Sequence, residues 1–266
     1  MTRIALLGVG KLGEALLSGL LRAGRAPGDI VVSVRRPDRG RELADSYGVA
    51  VVPNAEAAAR ADVLLLAVKP QDMAARLAEL AGTVPADRLV VSLAAGTTTA
   101  TLEAALEPGT PVVRVMSNTP VLVDEAMSAI SAGSHASEQH LALTEELLRP
   151  VGQTIRVPES QQDAVTALSG SGPAYFFYLV EAMTDAGILL GLPRQVAHDL
   201  IVQTALGAAL MLRDSGEHPV RLREAVTSPA GTTINAIRVM EDHGVRAAML
   251  AALEAARDRS RELAGG

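Results

Sequence analysis

The sequence predicts an α/β fold, a doubly wound sheet followed by an all-helical domain. Three observations carry this. Short β-branched runs alternate with amphipathic segments up to residue 157, only helical patterns follow Pro158, and a glycine-rich turn comes directly after the first run. The expected domains are therefore residues 1–158 and 159–266.

Taken in order, IALLG (4–8) is the first strand, with a helix from Leu12. IVVSV (30–34) precedes a helix near Arg39, and ADVLLLAV (61–68) precedes one after Pro70. LVVSLAA (89–95), PVVRVM (111–116) and the stretch around QTIRVP (153–158) add further strands, for a sheet of about six to eight. Several runs lack polar alternation, as parallel strands buried on both faces do. Helices are then predicted over Pro173–Leu190, Arg194–Arg213, Val220–Val226, Thr232–Asp242 and Val245–Leu263. In the second of these, Val196, Leu200, Ile201, Leu206 and Leu210, with their alanine neighbours, leave only a thin polar face. A domain of about a hundred residues cannot bury so much alone, so the helices are expected to join subunits, at least as a homodimer.

Composition narrows the function classes. The chain has 266 residues, 48% of them hydrophobic but only 2% aromatic, so Leu, Val, Ile and Ala must fill the core. A net charge of -6, with no basic block, argues against a nucleic-acid partner. With no cysteine and five scattered histidines, no metal site is expected. Arg3 precedes an apolar run, but Lys11 and Glu14 interrupt it too early for a secretory signal. Leu200–Leu212 contains Gln203 and Thr204 and falls short of the roughly 20 residues a membrane span needs. A soluble cytoplasmic protein without a membrane partner is expected.

Gly8-Val9-Gly10-Lys11-Leu12-Gly13 lies between a predicted strand and a predicted helix, the context that gives GxGxxG its meaning. The first glycine permits the tight turn and the second lets the backbone approach a diphosphate. The third lets helix and strand pack closely, while the helix start offers free N–H donors. The segment reads as the dinucleotide-binding turn of a Rossmann domain; the alternative is a glycine turn with no ligand. About 20 residues beyond the glycines, NAD-binding chains place an acid for the ribose 2′-hydroxyl. Here the residues are Ser33, Val34, Arg35 and Arg36, with no acid before Asp38. Two guanidiniums and a hydroxyl suit a 2′-phosphate, which favours NADPH; the alternative is a solvated arginine pair.

Other cofactor contacts are expected at the carboxyl ends of strands: Ala67-Val68-Lys69-Pro70, Ala94-Ala95-Gly96 and Met116-Ser117-Asn118. Spacing alone leaves each of these equally readable as an ordinary strand-to-helix turn. A second helix start, Thr227-Ser228-Pro229-Ala230-Gly231-Thr232-Thr233, reads either as an anion site for a carboxylate or as plain N-capping. A third small-residue turn, Ser169-Gly170-Ser171-Gly172-Pro173, puts proline at a first helical position and could wall a site.

Together, GVGKLG, AVKP, SLAAG, RVMSNTP, DAVTALSGSGPAYFFYLVEA and EAVTSPAGTTINAI resemble the pyrroline-5-carboxylate reductase family, in order over essentially the whole chain. The resemblance implies a Rossmann domain, a helical dimerisation domain, and reduction of 1-pyrroline-5-carboxylate to proline, the last step of proline biosynthesis, with NADPH or NADH. It puts the substrate carboxylate on Ser228, Gly231, Thr232 and Thr233, with Thr233 also facing the ring nitrogen, so that Ser228 and Thr233 are the catalytic candidates. It puts cofactor contacts on Leu7 to Leu12, Asn54, Ala67 to Pro70, and Ala95. The helical domain of one subunit would complete its partner's site, and dimers would assemble into decamers. Two positions depart from the family pattern: Ser117, where many members have proline, and Ala230, where glycine is usual. The rival β-hydroxyacid dehydrogenases rely on a lysine in the helical domain, whereas Lys11 and Lys69 are the only lysines here. The remaining readings are an imine reductase of other specificity and a non-catalytic dinucleotide sensor.

Overall fold

The structure is a computed structural model that describes residues 2–265. Its first part alternates strand and helix: β1 (Ile4–Leu7), α1 (Lys11–Arg22), β2 (Ile30–Ser33), α2 (Pro37–Tyr47), β3 (Ala50–Val51), α3 (Asn54–Arg60), β4 (Val63–Leu66), α4 (Pro70–Leu80), β5 (Leu89–Ser92) and α5 (Thr99–Ala105). β6 (Val112–Met116), β7 (Ala126–Ala132), α6 (Glu138–Leu148) and β8 (Gly152–Arg156) complete it. The strands form one sheet in the order β3-β2-β1-β4-β5-β6-β7-β8. Chain order reverses direction between β1 and β4, and such a switch point is where open α/β sheets bind ligands.

Two features of the sheet differ from the sequence reading. β3, a two-residue strand, and β7 were not anticipated, and β7 runs antiparallel to β6, so the sheet is mixed. A short 3-10 turn over Thr119–Val123 turns the chain back from β6 to β7. A parallel return would have needed a crossover of a dozen or more residues.

Adjacent residues of the central strands feed opposite faces. Ile4, Leu6, Val63 and Leu65 pack with Leu16, Leu17 and Leu20 of α1 and Leu147 of α6. Ala5, Leu7, Leu64 and Leu66 pack with Ala57 and Ala58 of α3 and Met73, Leu77 and Leu80 of α4. Each fully buried leucine contributes about 1.5–3 kcal/mol, so the unbroken apolar runs are what hold the two helical layers to the sheet.

The remaining elements are helical: α7 (Gln162–Val165), which runs into a π turn at Thr166–Gly170, then α8 (Gly172–Leu189), α9 (Arg194–Ser215), α10 (Pro219–Ala225), α11 (Thr232–Asp242) and α12 (Val245–Gly265). Their limits follow local chemistry. Pro193 precedes α9 and Gly216, in the left-handed region, ends it.

The chain packs as two compact units. One runs to Ser171 and takes in the chain again from Ala256; the other is Gly172–Ala255. Among the described residues of the second unit, only Gly172, Thr184 and Ala197 are buried. α8 and α9 approach closely because Gly187 has no side chain: a Cβ there would lie 2.7 Å from that of Ala197. Elsewhere the apolar side chains of this unit are half-buried or exposed. α9 is 22 residues long and its most apolar 18-residue stretch has a mean hydropathy of 1.2, which by length and composition alone is enough to cross a membrane. The sequence reading, which ended the apolar stretch at Leu212, put it short of that length.

Candidate active site

The glycine turn has the geometry its sequence implies. Gly8 sits at φ +84, and a Cβ on it would lie 2.4 Å from Cγ1 of Val68. The Gly10 N–H donates to the Gly8 carbonyl at 2.9 Å, closing the turn. A Cβ on Gly10 would meet nothing within 4 Å, so space is open beside it, whereas one on Gly13 would press on Ala67 Cβ at 3.2 Å. α1 begins at this point without a side-chain cap, so its first-turn N–H groups are left for a ligand.

Gly8, Val9 and Gly10 line a cavity of about 530 Å³ together with Arg35, Arg36, Ala67, Val68 and Lys69. These residues follow β1, β2 and β4, the three strands around the switch point. The volume falls within the roughly 300–1,000 Å³ of small-molecule and cofactor sites. Arg35 and Arg36 have side chains 81% and 70% exposed, and their nearest carboxylates, Asp72 and Asp38, stand off at 3.7 and 3.8 Å. Both guanidiniums are thus available to a phosphate. Arg39 also lines the cavity but is not available: Glu42 and Glu14 both hold it, and their bonds push its pKa further above the ordinary arginine value.

The other expected cofactor residues do not line the cavity walls. Leu7 is wholly buried in β1, and Ser33 is buried with its carbonyl accepting from the Gly8 N–H at 2.9 Å. Lys11, Leu12 and Gly13 lie in α1, Pro70 is the first residue of α4, and Ala95 lies beyond β5. Asn54, at the start of α3, donates to Glu79 Oε2 at 2.5 Å, and Glu79 is itself part of the wall. Sequence reasoning missed the α4 stripe of Asp72, Ala75, Arg76 and Glu79. Its three- and four-residue spacing marks one helix face, a signal legible once α4 is placed beside the turn.

Asn118 is committed to the fold. Its amide donates to the carbonyl and hydroxyl of Ser169, both at 3.3 Å, and its oxygen accepts from the Met127 N–H. Gly170 is small because a Cβ there would lie 2.3 Å from Cε of Met116. The small-residue turn at 169–173 is accordingly a π turn packed on the end of β6, continuous with the helices around it.

In the helical unit, α11 starts at Gly231 with no side-chain cap, so the first-turn N–H groups of the expected substrate segment are open rather than taken up by Ser or Thr. Ser228 is exposed and Thr233 half-buried. The Gly231 N–H donates to the Ser228 carbonyl at 3.1 Å, and a Cβ on Gly231 would lie 2.3 Å from Ser228 Oγ. Asn235 donates to the Gly231 carbonyl at 2.9 Å, fixing the turn from the far side.

Residues 159–263 match the family model described as pyrroline-5-carboxylate reductase dimerisation, and residues 3–96 match one described as NADP oxidoreductase, coenzyme F420-dependent. A pyrroline-5-carboxylate reductase of Corynebacterium melassecola is 46% identical over 267 residues, covering 99% of both chains. The chain belongs to the pyrroline-5-carboxylate reductase family. The solved reductase structure from Coxiella burnetii is 37% identical and superposes with a TM-score of 0.93 over 98% of each chain. A pyrroline carboxylate reductase from Plasmodium falciparum, solved with NADP bound, shares the fold at 24% identity, with a TM-score of 0.87 over 99% of this chain and 98% of that one.

The two departures from the reductase pattern have different consequences. Ser117 accepts a hydrogen bond from Ser128 of β7 at 2.9 Å, a partner that proline could not provide. Ala230 adopts φ +57, the left-handed region that glycine enters freely and alanine only at a cost. The turn before α11 is therefore strained at the residue where the resemblance leads one to expect glycine.

Proposed function

We propose that this reductase converts 1-pyrroline-5-carboxylate to L-proline with the residues described above in specific roles. When bound, NADPH supplies the hydride, with NADH as an alternative donor. Gly8 to Gly13 and the start of α1 hold the diphosphate, with Leu7 and Ser33 shaping the turn from below. Arg35 and Arg36 take the 2′-phosphate, and Asn54, Ala67 to Pro70 and Ala95 hold the rest of the dinucleotide. Ser228, Gly231, Thr232 and Thr233 receive the substrate carboxylate, and the Thr233 hydroxyl faces the ring nitrogen. A cyclic imine that has taken a proton from water is already electrophilic, so the chain needs to position it rather than to supply a strong acid.

The observation that carries this reading is the uncapped start of α11, whose N–H groups are open to a carboxylate. The functional division is set at residues 1–158 for the cofactor and 159–266 for dimerisation and substrate. The open apolar faces of the helical unit are covered by a second copy, the helical domain of one subunit completes its partner's site, and dimers assemble into decamers in the cytoplasm. Neither a membrane nor a nucleic acid is a partner in this reading. It is supported by the net charge of -6 and by the match of residues 159–263 to a dimerisation domain.

NADPH oxidation on addition of 1-pyrroline-5-carboxylate, with proline as the product, tests the activity. Thr233→Ala is expected to lower kcat/KM on the order of tenfold to a hundredfold, and Ser228→Ala to raise the substrate KM with kcat retained; wild-type kinetics from both variants rule out the site. Replacing Arg35 and Arg36 together should weaken NADPH far more than NADH, and equal losses for the two cofactors would remove the 2′-phosphate assignment.

A further inference from the structure

The carboxyl end of the sheet contains a charged cluster that the roles above do not use. Arg114, in the middle of β6, is 4% exposed and pairs in register with Ser92 of β5 and Ser131 of β7. A buried guanidinium needs a carboxylate, and Glu159 provides it at 3.1 Å, from the segment that leads out of the sheet. The same carboxylate accepts two further bonds from Thr99, one from the backbone N–H at 2.7 Å and one from the hydroxyl. Thr99 is the first residue of α5, so its N–H has no partner within the helix, and an acidic side chain suits that end of the helix. Three residues on, Gln162 is wholly buried and donates to Ser131 Oγ at 2.7 Å, tying the segment to the same row of the sheet.

Between Ser92 and Thr99 runs the loop 93–98, at the carboxyl end of a central parallel strand. Its first end is fixed by Leu93, whose N–H donates to the Leu66 carbonyl at 2.9 Å. Its other end is held from outside by Glu159. A carboxylate that is distant in sequence, is neutralised by a buried arginine and bonds twice to one threonine sets where that loop lies.

We propose that Glu159 is a positioning residue for hydride transfer, holding the loop 93–98 through Thr99 so that it supports the nicotinamide half of the cofactor. This rests on the assignment of the sheet end to the dinucleotide. It goes beyond that assignment by giving a function to a residue that does not itself touch cofactor or substrate.

The test uses the full-length protein with two ligands: NADPH, and 2′,5′-ADP, which has only the adenosine half. Thr99→Val removes one bond to Glu159 without exposing a buried charge, Thr99→Ser restores it, and Glu159→Ala removes the bridge altogether. Thr99→Val is expected to weaken NADPH binding and lower kcat together, on the order of tenfold, while 2′,5′-ADP binding stays within about twofold of wild type. Thr99→Ser should return both to wild type, and Glu159→Ala should exceed Thr99→Val where it folds. The proposal is overturned if Thr99→Val weakens both ligands in equal proportion, the mark of a purely structural role, or weakens neither. Because the criterion that overturns the proposal compares the binding of two ligands, it is independent of whether wild-type enzyme reduces 1-pyrroline-5-carboxylate, and failure of that turnover would count only against the proposed function.

Discussion

In the sheet unit Leu6, Leu16, Leu65 and Leu66 are wholly or almost wholly buried, whereas in the helical unit Leu200 and Leu206 are 56% and 53% exposed. The residue type is the same; the covering differs. The sheet unit meets its burial requirement within one chain, since helices lie on both faces of β1, β4 and β5. The helical unit has little beneath its helices, and Phe176, Phe177, Tyr178, Leu189 and Leu190 are open as well. Apolar exposure on this scale marks an interaction surface rather than a monomer's exterior. Residues 159–263 match a dimerisation domain, and a second subunit as the covering is the reading proposed above.

The strongest way to break this comparison is to charge the open face. Leu200→Glu with Leu206→Glu on α9 should abolish assembly and reduce turnover to background, while the sheet unit still binds NADPH. Size-exclusion chromatography with light scattering reads the first outcome and cofactor fluorescence titration the second. A double variant that assembled as wild type would show that the α9 face is not what the second subunit covers. The converse change lies in the sheet unit. Gly8→Ala forces a side chain into the left-handed region and against Val68, so NADPH affinity should fall on the order of a hundredfold with the oligomer intact.

The two units also differed in how far their sequence could be read. The helices from α8 onward were legible to within a few residues because Pro193, Gly216 and Gly231 punctuate them, whereas α7 and its π turn were not. β7, AMSAISA, was not, since alanine and serine have little strand propensity and the strand depends on pairing with both β6 and β8. At the candidate site the glycine turn and Arg35-Arg36, which line the cavity, were legible as local motifs, while the α4 stripe required knowing which helix lies beside the turn. Glu159 could not be found, because its partners Thr99 and Arg114 are 60 and 45 residues away and no local pattern links them. Ala230 appeared only as a small departure from a family pattern; its positive φ gives that departure an energetic meaning. Ala230→Gly should relieve strain of roughly 1 kcal/mol, seen as a small rise in Tm without loss of activity.

Acid separates the units more gently. In the sheet unit, burial pushes the Glu159 carboxyl up, but the hydroxyl and N–H of Thr99 and the Arg114 guanidinium outweigh it and hold the group below its ordinary value. The Arg3 N–H lowers Asp62, and Arg156 lowers Glu145. A carboxylate depressed in the folded state stabilises fully above its unfolded pKa, about 4.3 for glutamate, and that stabilisation is lost as pH falls through the folded value. In the helical unit, the depressed carboxylates Asp214 and Glu241 pair with Arg213 and Arg246 at the surface, where solvent and salt screen them. Below about pH 4, amide exchange should therefore accelerate first around Thr99, β6 and the 159–162 segment, and Glu159→Gln should flatten that response. Glu241→Gln should leave the exchange of α11 and α12 unchanged across the same range. If Glu159→Gln leaves the acid response of the sheet unit intact, the buried bridge is not what distinguishes the two units in acid.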